Sequence, residues 1–94
     1  MLRCASMKNA GLERQLKGLA NKRRLAILYF LKKRKESSVG AIAEEIKLSF
    51  KSTSRHLITL DAAGLVDKEQ RNLQVFYRLA DDAPPILRMV LTIL

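Results

Sequence analysis

One cysteine, one histidine and two prolines are all that this 94-residue chain holds of those residue types. A lone thiol, Cys4, cannot close an internal disulfide, which agrees with a reducing compartment. It has no resolving partner for redox chemistry, and it lies in a terminal stretch, residues 1–6, expected to be flexible. One imidazole and one thiol fall short of the three or four soft ligands a transition-metal site takes, so no metal and no cofactor are expected. His56 has no nucleophile-plus-acid arrangement around it, and no Walker, Rossmann or zincin pattern occurs, so the chain does not read as an enzyme. The longest apolar run, residues 25–31, lies between two basic clusters; a bilayer span needs roughly 20 such residues. No long apolar stretch follows Arg3 as a secretory signal would require. A cytoplasmic protein without a membrane partner is the expectation.

What the chain has in excess is positive charge. Lys and Arg number 18 against 9 Asp and Glu, a net charge of +9. A basic domain of this size has a polyanionic partner as its first expectation: DNA, RNA or an anionic membrane face. Neither a repeat nor a linker divides the sequence, so residues 1–94 read as one domain.

Along the chain, Leu12, Leu16 and Leu19 recur at helical spacing over residues 7–19. Asn21 can cap a helix running to about residue 33 that is apolar over most of its circumference and therefore central, with Tyr29 and Phe30 expected in the core. Its first turn carries Lys22, Arg23 and Arg24, cations at the unfavourable end of a helix dipole. That placement makes them candidates for phosphate contacts, whereas the basic run of residues 32–35 suits a solvated helix C-terminus. Ser38 can cap a short helix over residues 39–46. Ser49 can cap another over residues 50–63, which Gly64 would end. Two short helices joined by a turn of about 3–4 residues form a helix-turn-helix. The period then changes. A strand opening at Leu65 and Val66, a turn over residues 70–73 and a return strand over residues 74–79 make a hairpin, with Val75, Tyr77 and Leu79 on one face and Phe76 and Arg78 on the other. Pro84 and Pro85 open a last helix, residues 86–94, whose only charge is Arg88.

On a helical wheel, Phe50, Thr53, Leu57 and Leu60 share one side of the 50–63 helix and are expected in the core. Lys51, Ser52, Arg55 and Thr59 lie opposite, with His56 and Ile58 on the flanks and no acid before Asp61. Short hydroxyls, cations and an imidazole suit a DNA major groove, where Arg can grip guanine O6 and N7 together.

Two runs of residues carry a family resemblance. Residues 48–57, Leu-Ser-Phe-Lys-Ser-Thr-Ser-Arg-His-Leu, are followed by Leu-Asp-Ala-Ala-Gly-Leu-Val at 60–66. With residues 16–28 upstream and 75–79 downstream, they resemble the ArsR-type winged helix-turn-helix regulators over about residues 12–79. The resemblance implies a mainly α fold with a small β-hairpin wing, about five helices and two to three strands. It further implies a homodimer that represses a promoter and leaves its operator on sensing a ligand. Ser54, Arg55 and His56 match the family's DNA-contacting stretch. This chain departs from the pattern in three respects. The 39–44 stretch lacks the Cys-x-Cys motif of metal-sensing members, and the last helix lacks their paired Asp and His. At the wing tip Asn72 stands where glycine is common, and asparagine tolerates a left-handed backbone.

The expected DNA-binding set is therefore Lys51, Ser52, Ser54, Arg55, His56 and Thr59, the wing residues Arg71, Asn72 and Gln74, and Lys22, Arg23 and Arg24. The partners expected are duplex DNA with a near-palindromic operator and a second copy of the chain, paired through residues 7–19 and 84–94. Leu12, Leu16, Ile86, Leu87, Val90, Leu91 and Leu94 are the expected interface, because so apolar a helix rarely stays exposed. The effector stays open. A winged helix serving RNA or protein interaction is the alternative.

Overall fold

Three short polar side chains set the starts of three helices. In the computed structural model, which describes the backbone over 2–94 and side chains from Ala10 onward, Asn21 Oδ1 accepts from the amides of Arg23 and Arg24. Ser38 Oγ accepts from Ala41 N, and Ser49 Oγ from Ser52 N. Each bond satisfies a donor that the first helical turn would leave without a partner. The helices so begun are α2 (Lys22–Arg34), α3 (Val39–Ile46) and α4 (Phe50–Ala62). Gly64, at φ +75°, ends α4 in the left-handed region as expected. Lys47 ends α3 in the same region, at φ 56°, without a glycine to mark it in the sequence.

Helix α1 spans Leu2–Leu19 and so begins before residue 7. The early residues are mostly good helix formers with no proline or glycine before Gly11, so propensity carries the helix back through the stretch expected to be flexible. The side chain of Cys4 lies outside the described residues. Helix α5 spans Pro85–Ile93, with Pro84 as its N-cap and Pro85 in its first turn.

The hairpin is β2 (Val66–Arg71) and β3 (Gln74–Leu79), joined by Asn72 and Leu73. Residues 70 and 71 continue the strand instead of turning, with Gln70 opposite Val75 and Arg71 opposite Gln74. Asn72 does take a left-handed conformation, φ 57°. A third strand, β1 (Glu36–Ser38), pairs antiparallel with β3 and gives the sheet order β1-β3-β2. The whole is a winged helix-turn-helix of five helices and a three-stranded antiparallel sheet.

The core lies where α2, α3, α4 and the sheet meet. Ile27, Leu28, Leu31, Ile42, Leu57, Leu60 and Leu65 are fully buried, with Val66 and Tyr77 beside them. Gly18 lets α1 close on this core: a Cβ there would stand 3.3 Å from Leu65 Cδ1 and 3.4 Å from Ala63 Cβ. Lys32 Nζ donates to Leu91 O at 2.6 Å, fastening α5 to α2. Two aromatic placements differ from expectation. Tyr29 is exposed, with Lys33 Nζ 4.9 Å from its ring centre, whereas Phe30 does pack against the core. Phe50 is 62% exposed, because as the first residue of α4 it precedes the turn that reaches the hydrophobic centre. No helix among the described residues is long and apolar enough to cross a membrane.

Candidate nucleic-acid interface

Helix α4 divides as its spacing predicts, apart from Phe50. Thr53, Leu57 and Leu60 face inward and are fully buried. Lys51, Arg55 and Thr59 are exposed, and Ser52, Ser54 and His56 are half-buried beside them. Neither Lys51 nor Arg55 has an ion-pair partner among the described residues, so both cations stand ready for an anion.

The N-terminus of α2 reaches this helix through Arg24. Its Nη1 stands 3.3 Å from His56 Nδ1, while Nε donates to Gly18 O at 2.6 Å and Nη2 to Lys17 O at 3.0 Å. Three of the five guanidinium donors of Arg24 are therefore engaged within the protein, so it is a held cation and not the free one expected. The sequence could not show that the carbonyls ending α1 lie within its reach. Burial, then Arg24 and Arg23, hold His56 below its ordinary imidazole value. Arg23 and Lys22 instead line a groove between α2 and α3, together with Tyr29, Phe30 and Glu45.

The wing differs more. Arg71 donates to both carboxylate oxygens of Glu36, at 2.8 and 2.9 Å, and to Glu69 at 3.0 Å. Its guanidinium carbon lies 4.6 Å from the Phe76 ring centre. Arg71 holds the carboxyls of Glu36 and Glu69 below the usual glutamate value, and the two carboxylates raise its own pKa. The wing's expected phosphate contact is thus an internal ion pair. Asn72 and Gln74 stay exposed, and between them Leu73 is 98% exposed. Leu73, Phe50 and Ile58 line a groove of about 520 Å³ between α4 and the wing, shared with Ser54, Gln70 and Gln74. The wheel could not find this groove, because it forms only when the hairpin folds back beside α4.

Leu12 and Leu16 are exposed on α1. Ile86, Val90, Leu91 and Leu94 are half-buried against their own core. Leu87 is fully buried within the chain, which removes it from the expected interface, since it has no surface left to give a partner. Met89 and Ile93, at 63% and 79% exposure, are the outward apolar residues of α5 that sequence reading missed. They lie four residues apart, one helical turn. Among the described residues, no three of His, Cys, Asp and Glu stand together as a metal site would need.

This arrangement has counterparts among known proteins. Over 65 residues the chain is 42% identical to the transcriptional activator HlyU of Vibrio cholerae, covering 69% of this chain and 59% of HlyU. Over 68 residues it is 38% identical to the nodulation protein NolR of Rhizobium meliloti, covering 72% of this chain and 55% of NolR. The matched stretch thus spans a little over half the length of either relative. The homodimeric winged helix-turn-helix DNA-binding domain of Mb0332 from Mycobacterium bovis aligns with a TM-score of 0.82 at 31% identity, over 97% of this chain and 81% of that one. Residues 21–68 match the family model described as bacterial regulatory protein, arsR family, and the chain belongs to that family.

Proposed function

We propose that two copies of this chain pair through α1 and α5 and bind a near-palindromic stretch of duplex DNA, repressing the promoter that contains it. The observation that carries the reading is the outward face of α4. Lys51, Arg55 and Thr59 are exposed there, Ser52, Ser54 and His56 flank them, and the inward face is locked in the core. In such a dimer each α4 enters one of two major grooves about 34 Å apart. Arg55 is suited to a guanine edge, Ser52 and Thr59 to bases or phosphates, and Lys51 to a phosphate at the helix N-terminus. Lys22 and Arg23 add long-range attraction for the backbone, and Asn72 and Gln74 face the flanking groove from the wing. The homodimeric state of the Mycobacterium bovis domain supports the pairing. HlyU carries the name of an activator, so the sign of regulation has its own measurement: transcription in vitro from the bound promoter, with and without the protein. With one histidine in the chain and no clustered ligands among the described residues, the releasing signal is read as something other than a His- or Cys-bound metal.

The test is a titration of the protein with duplex fragments from beside its own gene. Arg55→Ala is expected to weaken specific binding by about 1–3 kcal/mol. Unchanged affinity would remove Arg55 from the interface, and equal affinity for duplex RNA would overturn the DNA reading.

A further inference from the structure

His56 is the only histidine in the chain, and its two ring nitrogens have different surroundings. Nδ1 stands 3.3 Å from Arg24 Nη1. A guanidinium has five N–H donors, no acceptor, and keeps its proton at any ordinary pH. The ring nitrogen that meets it must be the bare one. A neutral imidazole bare at Nδ1 carries its hydrogen on Nε2. Protonating Nδ1 instead would set two donors and two positive charges against each other. On the other side of the ring, Nε2 has no partner among the described residues, yet it is not a buried orphan. It therefore keeps contact with solvent.

We propose that Arg24 is a positioning residue that presents His56 to DNA as a neutral Nε2–H donor, so that this position of α4 reads an acceptor edge of a base. Purine N7, guanine O6 and thymine O4 satisfy such a donor, whereas the amino groups of adenine and cytosine do not. Arg24 is itself gripped by Gly18 O and Lys17 O at the end of α1. The helix that ends there therefore fixes the direction of the imidazole. The part of the inference that concerns the base rests on the DNA-binding reading; the part that concerns the tautomer does not.

The ring nitrogens of uniformly 15N-labelled protein report the tautomer without DNA. At pH 7.5 the expected spectrum is that of the Nε2–H form, and Arg24→Met is expected to bring in the Nδ1–H form and raise the titration midpoint of the ring. An Nδ1–H ring in the native protein, or an unchanged ring in folded Arg24→Met, overturns the role of Arg24. Two further variants leave Arg24 intact and cover the case in which Arg24→Met does not fold. In His56→Gln an amide N–H takes the place of Nε2–H; in His56→Asn it falls near Nδ1. Binding is then measured on duplexes carrying 7-deazapurines, 6-thioguanine or 4-thiothymine in turn. The native protein and His56→Gln are expected to lose about tenfold at one shared position of each half-site, and His56→Asn to lose nothing there. No sensitive position, or equal sensitivity in His56→Asn, overturns the base contact. Failure of the native protein to bind any duplex refutes the DNA reading, while the nitrogen spectra still decide the role of Arg24.

Discussion

Arg71 and Glu36, 35 positions apart in sequence, form a two-pronged ion pair with N–O distances of 2.8 and 2.9 Å. Glu69 shares the same guanidinium at 3.0 Å and Arg78 approaches Glu69 at 3.6 Å, so the outer face of the wing is a closed charge network. All of these side chains are well exposed, and pairs of that kind add little stability. Their effect is on charge: the wing presents less free cation than its sequence suggests. Replacing both acids with the neutral isostere, Glu36→Gln with Glu69→Gln, should free Arg71 for a phosphate. DNA affinity at low salt is expected to rise several-fold, and the plot of log affinity against log salt to steepen by about one. Fluorescence anisotropy across a salt series checks this; an unchanged slope would mean that Arg71 reaches DNA in the native protein as well.

The same network makes a prediction for acid. Arg71 lowers the folded-state pKa of Glu36 and Glu69 from the ordinary value of 4.5. Below 4.5 the unfolded chain takes up protons that the folded chain still refuses, so stability falls as pH falls. The contribution is whole above that value and disappears as pH drops through the lowered folded values. Urea midpoints at pH 6 and pH 3.5 should therefore differ more for the native protein than for the double glutamine variant. An equal difference would show that the network is not formed in solution.

Two residues of α5 should respond oppositely to substitution. Leu87 is fully buried in its own chain, so Leu87→Ala should cost about 2–5 kcal/mol of folding stability. Ile93 is mostly exposed, so Ile93→Asp should leave the isolated fold nearly as stable while dissociating the proposed dimer. Sedimentation at micromolar concentration, read beside thermal melting, separates the two effects. A dimer that survives Ile93→Asp would place the subunit contact elsewhere.

Thr53 carries the one buried side-chain oxygen without a hydrogen-bond partner among the described residues. An unsatisfied buried hydroxyl is a cost, and valine has nearly the same shape. Thr53→Val is expected to raise stability by about 1 kcal/mol, seen as a higher melting temperature. Thr53→Ser keeps the hydroxyl and loses the methyl, so it should lower it.

Much of this molecule was legible from local patterns. Asn21, Ser38, Ser49 and Gly64 are capping residues whose chemistry does not depend on distant neighbours, and each stands where it was read. The split of α4 into an inner face at Thr53, Leu57 and Leu60 and an outer face at Lys51, Arg55 and Thr59 follows from helical period alone. What escaped depends on contacts between segments. Arg24 and Arg71 look like free cations in a sequence; only the fold brings them to Gly18 O and Glu36. Leu87 and Ile93 are equally apolar, and no periodicity within nine residues tells which of them the core has already taken. Strand β1 is three residues long and has no pattern of its own, since its partner is β3, supplied some forty residues later.

Ser38 belongs to two structures at once: it is the last residue of β1, opposite Phe76 in the wing, and the N-cap of α3. The hairpin is thereby hinged to nothing. The wing sheet and the first turn of the helix-turn-helix thus share a residue, with no linker between them. In the proposed dimer, a change in how α1 and α5 pair the two copies would therefore carry the wing and the helix-turn-helix together.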